Sequence, residues 1–164
     1  MSCPVEKVTK RKRPKRRENK FDLRKAVDLL KGSVKVNYWA KPYTPFEILV
    51  STVLSQNTNR ENTVRAFNRL RARVKLTPQN LLRVSTAEIA QLIRSAGLYN
   101  QKAHKLKHIA DILAKKYEGK LERILELPRE RAREILLSLP GVGYKTADVL
   151  LNFVAGRATF PVDT

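Results

Sequence analysis

Nine residues constrain this chain more than any other stretch: Leu139-Pro140-Gly141-Val142-Gly143-Tyr144-Lys145-Thr146-Ala147. Apolar residues at helical spacing lead in (Ile135, Leu136, Leu139) and lead out (Ala147, Leu150, Leu151, Val154). The pattern predicts two helices joined by a tight glycine turn. Glycine admits positive φ and lets another backbone approach with no Cβ in the way. The second helix then opens with unpaired N–H groups at a positive dipole end, which suits a phosphate. Lys145, in its first turn, would stand beside that phosphate. The same turn also suits an ordinary helix corner with a solvated lysine.

Helical signals fill the rest of the chain. Phe21 to Lys31 reads as a short amphipathic helix stopped by Gly32, and 33–43 as a connector holding Tyr38 and Trp39. Thr44-Pro45-Phe46-Glu47 is a capping box opening an apolar central helix, and Thr58-Asn59-Arg60-Glu61 is a second one. Thr77-Pro78 starts a short helix, and Ser85 caps another that stops at Gly97. Residues 99–118 form the longest helix, with Lys102, Lys105 and Lys107 on its polar face. Leu121–Leu127 leads to Pro128 and the first hairpin helix, which ends near Ser138. The second runs from about Gly143 to Ala155 and closes at Gly156. No stretch alternates as a strand does. The fold class is all-α, a compact bundle of roughly eight helices.

Charge narrows the class of partner. The 164 residues carry a net charge of +19. Residues 1–20 hold nine Lys/Arg against two Glu and read as a disordered basic arm, usable for phosphate affinity or nuclear import. The remainder holds 25 basic and 13 acidic side chains, so the folded part is basic in its own right. A charge-rich thermostable surface would balance the two signs; a polyanion partner accounts for the excess. No apolar run is long enough to span a membrane, and the N-terminus lacks the apolar core of a secretion signal. Cys3 is the single cysteine, which excludes a disulfide framework and a cysteine-built metal site. An intracellular protein is expected, in the cytoplasm or nucleoid of a prokaryote or the nucleus of a eukaryote.

Three further stretches give the hairpin a context: Pro161-Val162-Asp163-Thr164, Gly97-Leu98-Tyr99-Asn100-Gln101-Lys102-Ala103, and Leu54-Ser55-Gln56-Asn57-Thr58. Together with Leu139–Ala147, in this order and with eighteen residues from Lys145 to Asp163, they strongly resemble the endonuclease III family of helix-hairpin-helix DNA glycosylases. The resemblance runs from about Thr44 to Thr164. It implies the HhH-GPD glycosylase fold, with 1–20 as the arm, 21–43 as part of an incomplete second domain, and 44–164 as the six-helix HhH-GPD domain.

The resemblance also assigns roles. Lys145 is the amine nucleophile that attacks C1′ of a flipped nucleotide and leaves a Schiff base. Asp163 is its carboxylate partner, and either residue could instead serve structurally, as a phosphate-binding lysine or a turn aspartate. The distance is feasible. About ten helical residues after Lys145 span ~15 Å, and the eight steps from Ala155 to Asp163 can return ~26 Å. Family members limited to base removal carry another residue at the lysine position, so Lys145 points to a bifunctional lyase. Gly141, Val142, Gly143 and Thr146 would hold a backbone phosphate. Leu98 is the wedge pushed into the kinked duplex, or else a core leucine. One of Gln56 and Asn57 fills the gap left by the flipped base, unless both merely supply polarity ahead of the next helix.

His104 and His108 are one helical turn apart, but no third metal ligand accompanies them, so no metal site is expected. The family often continues past the aspartate into a region with four cysteines holding a 4Fe-4S cluster. Those cysteines are absent here, so no cofactor is expected in this chain, and a fragment or truncated product is expected. The function implied is a DNA glycosylase with abasic-site (AP) lyase activity in base excision repair. It would act as a monomer on double-stranded DNA bearing an oxidised pyrimidine or an abasic site. The alternatives are a non-catalytic helix-hairpin-helix DNA-binding module, and a glycosylase for an oxidised purine or a mismatched base.

Overall fold

The computed structural model describes residues 22–33 and 43–162. The basic arm, Phe21, the connector with Tyr38 and Trp39, and Asp163 with Thr164 lie outside the described residues. The chain divides into two units, Met1–Ala40 and Lys41–Thr164. In the first unit, helix α1 spans Leu23–Ser33. The Asp22 carboxylate accepts from the N–H groups of Arg24 and Lys25 and so sets its start. Gly32, expected to stop the helix, lies within it; a glycine near a helix end costs only about 1 kcal/mol relative to alanine.

Among its described residues the second unit is helical throughout its regular structure. Its elements are α2 (Pro45–Ser55), α3 (Arg60–Arg73), α4 (Pro78–Arg83), α5 (Thr86–Leu92), a single 3-10 turn (Arg94–Ala96), α6 (Tyr99–Tyr117), α7 (Glu122–Leu125), α8 (Arg129–Leu137) and α9 (Tyr144–Val149). A π-helical turn, Leu150–Val154, continues α9 without a break. Helix α2 is the central one and packs against α3, α6, α9 and the π-turn. It earns that place by composition: Phe46, Ile48, Leu49, Val50, Val53 and Leu54 are all buried, on every side of the helix. The long α6 covers α4 and α5 and closes the core with Leu106, Ile109 and Leu113. No helix among the described residues is long and apolar enough to cross a membrane.

Local capping chemistry fixes the helix starts. At α2 the box is reciprocal: Glu47 N–H donates to the Thr44 hydroxyl at 3.2 Å, and Thr44 N–H donates to the Glu47 carboxylate at 2.8 Å. Arg71 of α3 then donates to Glu47 at 2.8 Å and lies over the Tyr43 ring, tying α3 to the start of α2. Helix α3 begins one residue later than the sequence box suggests. The cap is Asn59, whose side chain accepts from Asn62 N–H at 2.8 Å, because Asn57 takes a left-handed φ of 52° and moves the turn along. The helix capped by Ser85 ends at Leu92, and the 3-10 turn carries the chain on to Gly97.

Candidate nucleic-acid interface

The hairpin turn is held by its own apolar residues. Leu139 and Val142 are buried in the core, and Val142 N–H closes the turn on Leu139 C=O at 3.1 Å. Gly141 has φ +79°, where a Cβ would be strained, and that Cβ would also meet Lys105 Cδ at 2.8 Å. Gly143 differs. Its φ of −95° suits any residue, and a Cβ there would meet nothing within 4 Å. The fold does not require glycine at 143, so the open space above it is what a close-approaching ligand would use. Tyr144, 67% exposed, and Lys145, also exposed, stand in the first turn of α9. Thr146 is buried, so its side chain belongs to the packing and only its backbone remains for a ligand.

After Gly156 the chain turns back along α9. The Thr159 hydroxyl donates to Asp148 C=O at 3.1 Å, one helical turn beyond Lys145. Arg129 donates to Ala158 C=O at 3.1 Å from the α8 side. Inside this return, the Asp148 carboxylate is buried and takes the guanidinium of Arg133, joining α8 to α9. Asp163 itself lies outside the described residues.

Two more loops border the hairpin. Leu98 has φ 44° and ψ 33°, sits at the N-cap of α6, and is 50% exposed. It is therefore not a core leucine. A left-handed φ is uncommon outside Gly, Asn and Asp, and here it turns an apolar side chain outward. Gln56 is half-buried, and its Nε2 donates to Gly141 C=O at 2.8 Å. Asn57 is exposed at its left-handed position. The hairpin and the Gln56–Asn57 loop are thus directly bonded, although the sequence places them far apart.

The residue that sequence reasoning misplaces is Lys102. It is 2% exposed, not on the polar face of α6, and its ammonium donates to Leu54 C=O at 2.8 Å, Gln56 C=O at 2.6 Å and Ala96 C=O at 2.7 Å. Burial, with help from the charge of Lys105, pushes its pKa below the ordinary lysine value. A signal exists: Lys102 falls four residues before Leu106 and eight before Ala110, on the apolar stripe. Lys107 is likewise half-buried, donating to Leu82 and Val84 carbonyls at 2.7 Å and capping the end of α4.

His104 and His108 are both on α6, one helical turn apart, and both are exposed. Among the described residues no three His, Cys, Asp or Glu side chains gather closely enough to hold a metal. The donor set of a four-cysteine cluster does not fit this sequence, whose one cysteine, Cys3, lies outside the described residues.

Residues 50–164 match the HhH-GPD superfamily of base excision DNA repair proteins. Endonuclease III of Thermotoga maritima is 40% identical over 124 residues, covering 76% of this chain and 54% of that one. Endonuclease III of Escherichia coli K12 is 36% identical over 121 residues, covering 74% and 53%. This chain spans about half the length of these relatives. The solved structure of a trapped endonuclease III–DNA covalent intermediate superposes with a TM-score of 0.70 at 32% identity, covering 84% of this chain and 61% of that one. The chain belongs to the HhH-GPD superfamily of base excision DNA repair proteins, and within it resembles endonuclease III.

Proposed function

We propose that the chain is a base-excision DNA glycosylase with AP lyase activity, using Lys145 as nucleophile and Asp163 as its carboxylate partner. The observation that carries the reading is the placement of Lys145. It is exposed in the first turn of α9, directly behind the open backbone of Gly143, on a helix to which the chain returns at Thr159. Similarity to endonuclease III supports the same roles.

The chemistry balances with these two groups. The neutral Lys145 amine attacks C1′ of the extruded nucleotide, and the glycosidic C–N bond breaks with its electron pair on the departing base, which takes up a proton. Opening of the sugar ring gives an imine between C1′ and Nζ. Loss of a C2′ proton then expels the 3′ phosphate by β-elimination, and water releases the lysine. Asp163 shuttles protons and stabilises positive charge developing on the sugar. The hairpin backbone holds a phosphate, Leu98 wedges the duplex, and Gln56 or Asn57 occupies the vacated space. An oxidised pyrimidine is the lesion favoured by resemblance to endonuclease III.

Incubation with duplexes each holding one lesion tests the reading. Base release with strand cleavage 3′ to the site, greatest for an oxidised pyrimidine, is the expected result. Salt-sensitive binding with every strand left intact would assign a non-catalytic DNA-binding module instead. Preferred release of an oxidised purine or a mismatched base would keep the chemistry and change the substrate.

A further inference from the structure

One run of hydrogen bonds joins all three loops of the candidate interface. Gln56 Nε2 donates to Gly141 C=O in the hairpin; Lys102 Nζ donates to Gln56 C=O and, within the same ammonium, to Ala96 C=O, two residues before Leu98. The third donor closes on Leu54 C=O, at the end of α2. An ammonium has three N–H groups, and here each meets a carbonyl. The carbonyls belong to the C-terminal ends of α2 and the 3-10 turn, where partial negative charge gathers and helical acceptors lack donors.

Among the described residues no carboxylate pairs with this ammonium; it is enclosed by neutral carbonyls. Burying an unpaired cation is a poor way to stabilise a core, where an apolar side chain of similar size commonly does better. What a lysine does here and methionine does not is bind two loops to one point. Lys102 N–H also donates to Leu98 C=O at 3.0 Å, so backbone and side chain of one residue hold both flanks of Leu98.

We propose that Lys102 is a positioning residue for base extrusion: it fixes the Gln56–Asn57 loop and the Leu98 turn in register, so that wedge and gap-filling amide act at the same base-pair step. The inference rests on the functional reading above. It concerns only the extrusion step, and Lys102 touches no reacting atom.

The test compares two substrates with one protein preparation: a duplex with a paired oxidised pyrimidine, which must be extruded, and the same duplex with a preformed abasic site, which has no base to remove. The ratio of the two kcat/KM values is independent of the folded fraction, so it can be read even in a destabilised variant. Lys102→Met and Lys102→Gln are both made, the glutamine retaining two donors. The expected result is a ratio lowered at least tenfold in Lys102→Met, less in Lys102→Gln, with Leu98→Ala shifting it in the same direction. Equal losses on both substrates in an active Lys102→Met protein, or no loss on either, would overturn the inference alone. Wild-type chain that cleaves neither duplex would overturn the functional reading and the inference with it.

Discussion

The side-chain amide of Gln56 and the main-chain carbonyl of Gly141 lie 2.8 Å apart, so the loop that follows α2 is bolted to the hairpin turn between α8 and α9. The acceptor belongs to the one hairpin residue whose φ, +79°, is unavailable to most side chains. The position of the turn relative to the loop therefore depends on backbone conformation at Gly141 as well as on packing.

The two hairpin glycines are expected to respond oppositely to alanine. Gly141→Ala introduces left-handed strain and a Cβ 2.8 Å from the Lys105 stem, which is flexible enough to shift. A destabilisation of about 1–2 kcal/mol is expected, read from chemical denaturation. Gly143→Ala enters open space at an ordinary φ. Its melting midpoint should match or slightly exceed wild type, while its affinity for duplex DNA falls. A Gly143→Ala protein that melts early would show that the fold, and not a ligand, requires this glycine.

The Arg133–Asp148 pair links α8 to α9 with its carboxylate buried. Arg133→Met leaves that carboxylate without its cation, and a loss of roughly 1–3 kcal/mol is expected in urea unfolding. Arg133 is partly exposed, which holds the figure below that of a fully buried pair. Asp148→Asn should cost less, since the amide oxygen still accepts from the guanidinium.

Binding to DNA should fall steeply with salt. Each phosphate contact adds about 0.9 to the slope of log K against log salt on duplex DNA. Lys105 is half-buried across Gly141 and has no hydrogen-bond or ion-pair partner among the described residues. Lys105→Gln is expected to lower that slope by about 1 and weaken binding to every sequence alike, measured by fluorescence anisotropy across a salt series. An unchanged slope would place Lys105 away from the phosphates.

Much of this molecule is legible in its sequence where the causes are local. The Thr44 capping box and the glycine turn at 141–143 each depend on residues within a few positions of one another, whereas the helix expected to run to Gly97 ends at Leu92 and a 3-10 turn covers the rest. The sequence alone starts α3 one residue early because Thr58 and Asn59 are both competent caps, and only the left-handed turn at Asn57 decides between them. Lys102 passes for a solvated residue because a lysine on a helix ordinarily is one; its partners, Leu54, Gln56 and Ala96, come from outside its own helix and are brought to it by tertiary packing. The exposure of Leu98 is undecided in the sequence for a related reason, since a leucine after a glycine turn packs inward unless its own φ turns it out.

The role of Lys145 is open to direct chemical capture: borohydride trapping on a duplex with a single abasic site, followed by mapping of the cross-linked peptide. Borohydride reduces an imine to a stable amine, so the nucleophile is recorded where it reacts. The expected result is a covalent adduct mapping to Lys145 and absent from Lys145→Ala, which still binds the duplex. No adduct with folded, DNA-binding wild-type protein, or an undiminished adduct in Lys145→Ala, would contradict the assignment of Lys145 as the nucleophile.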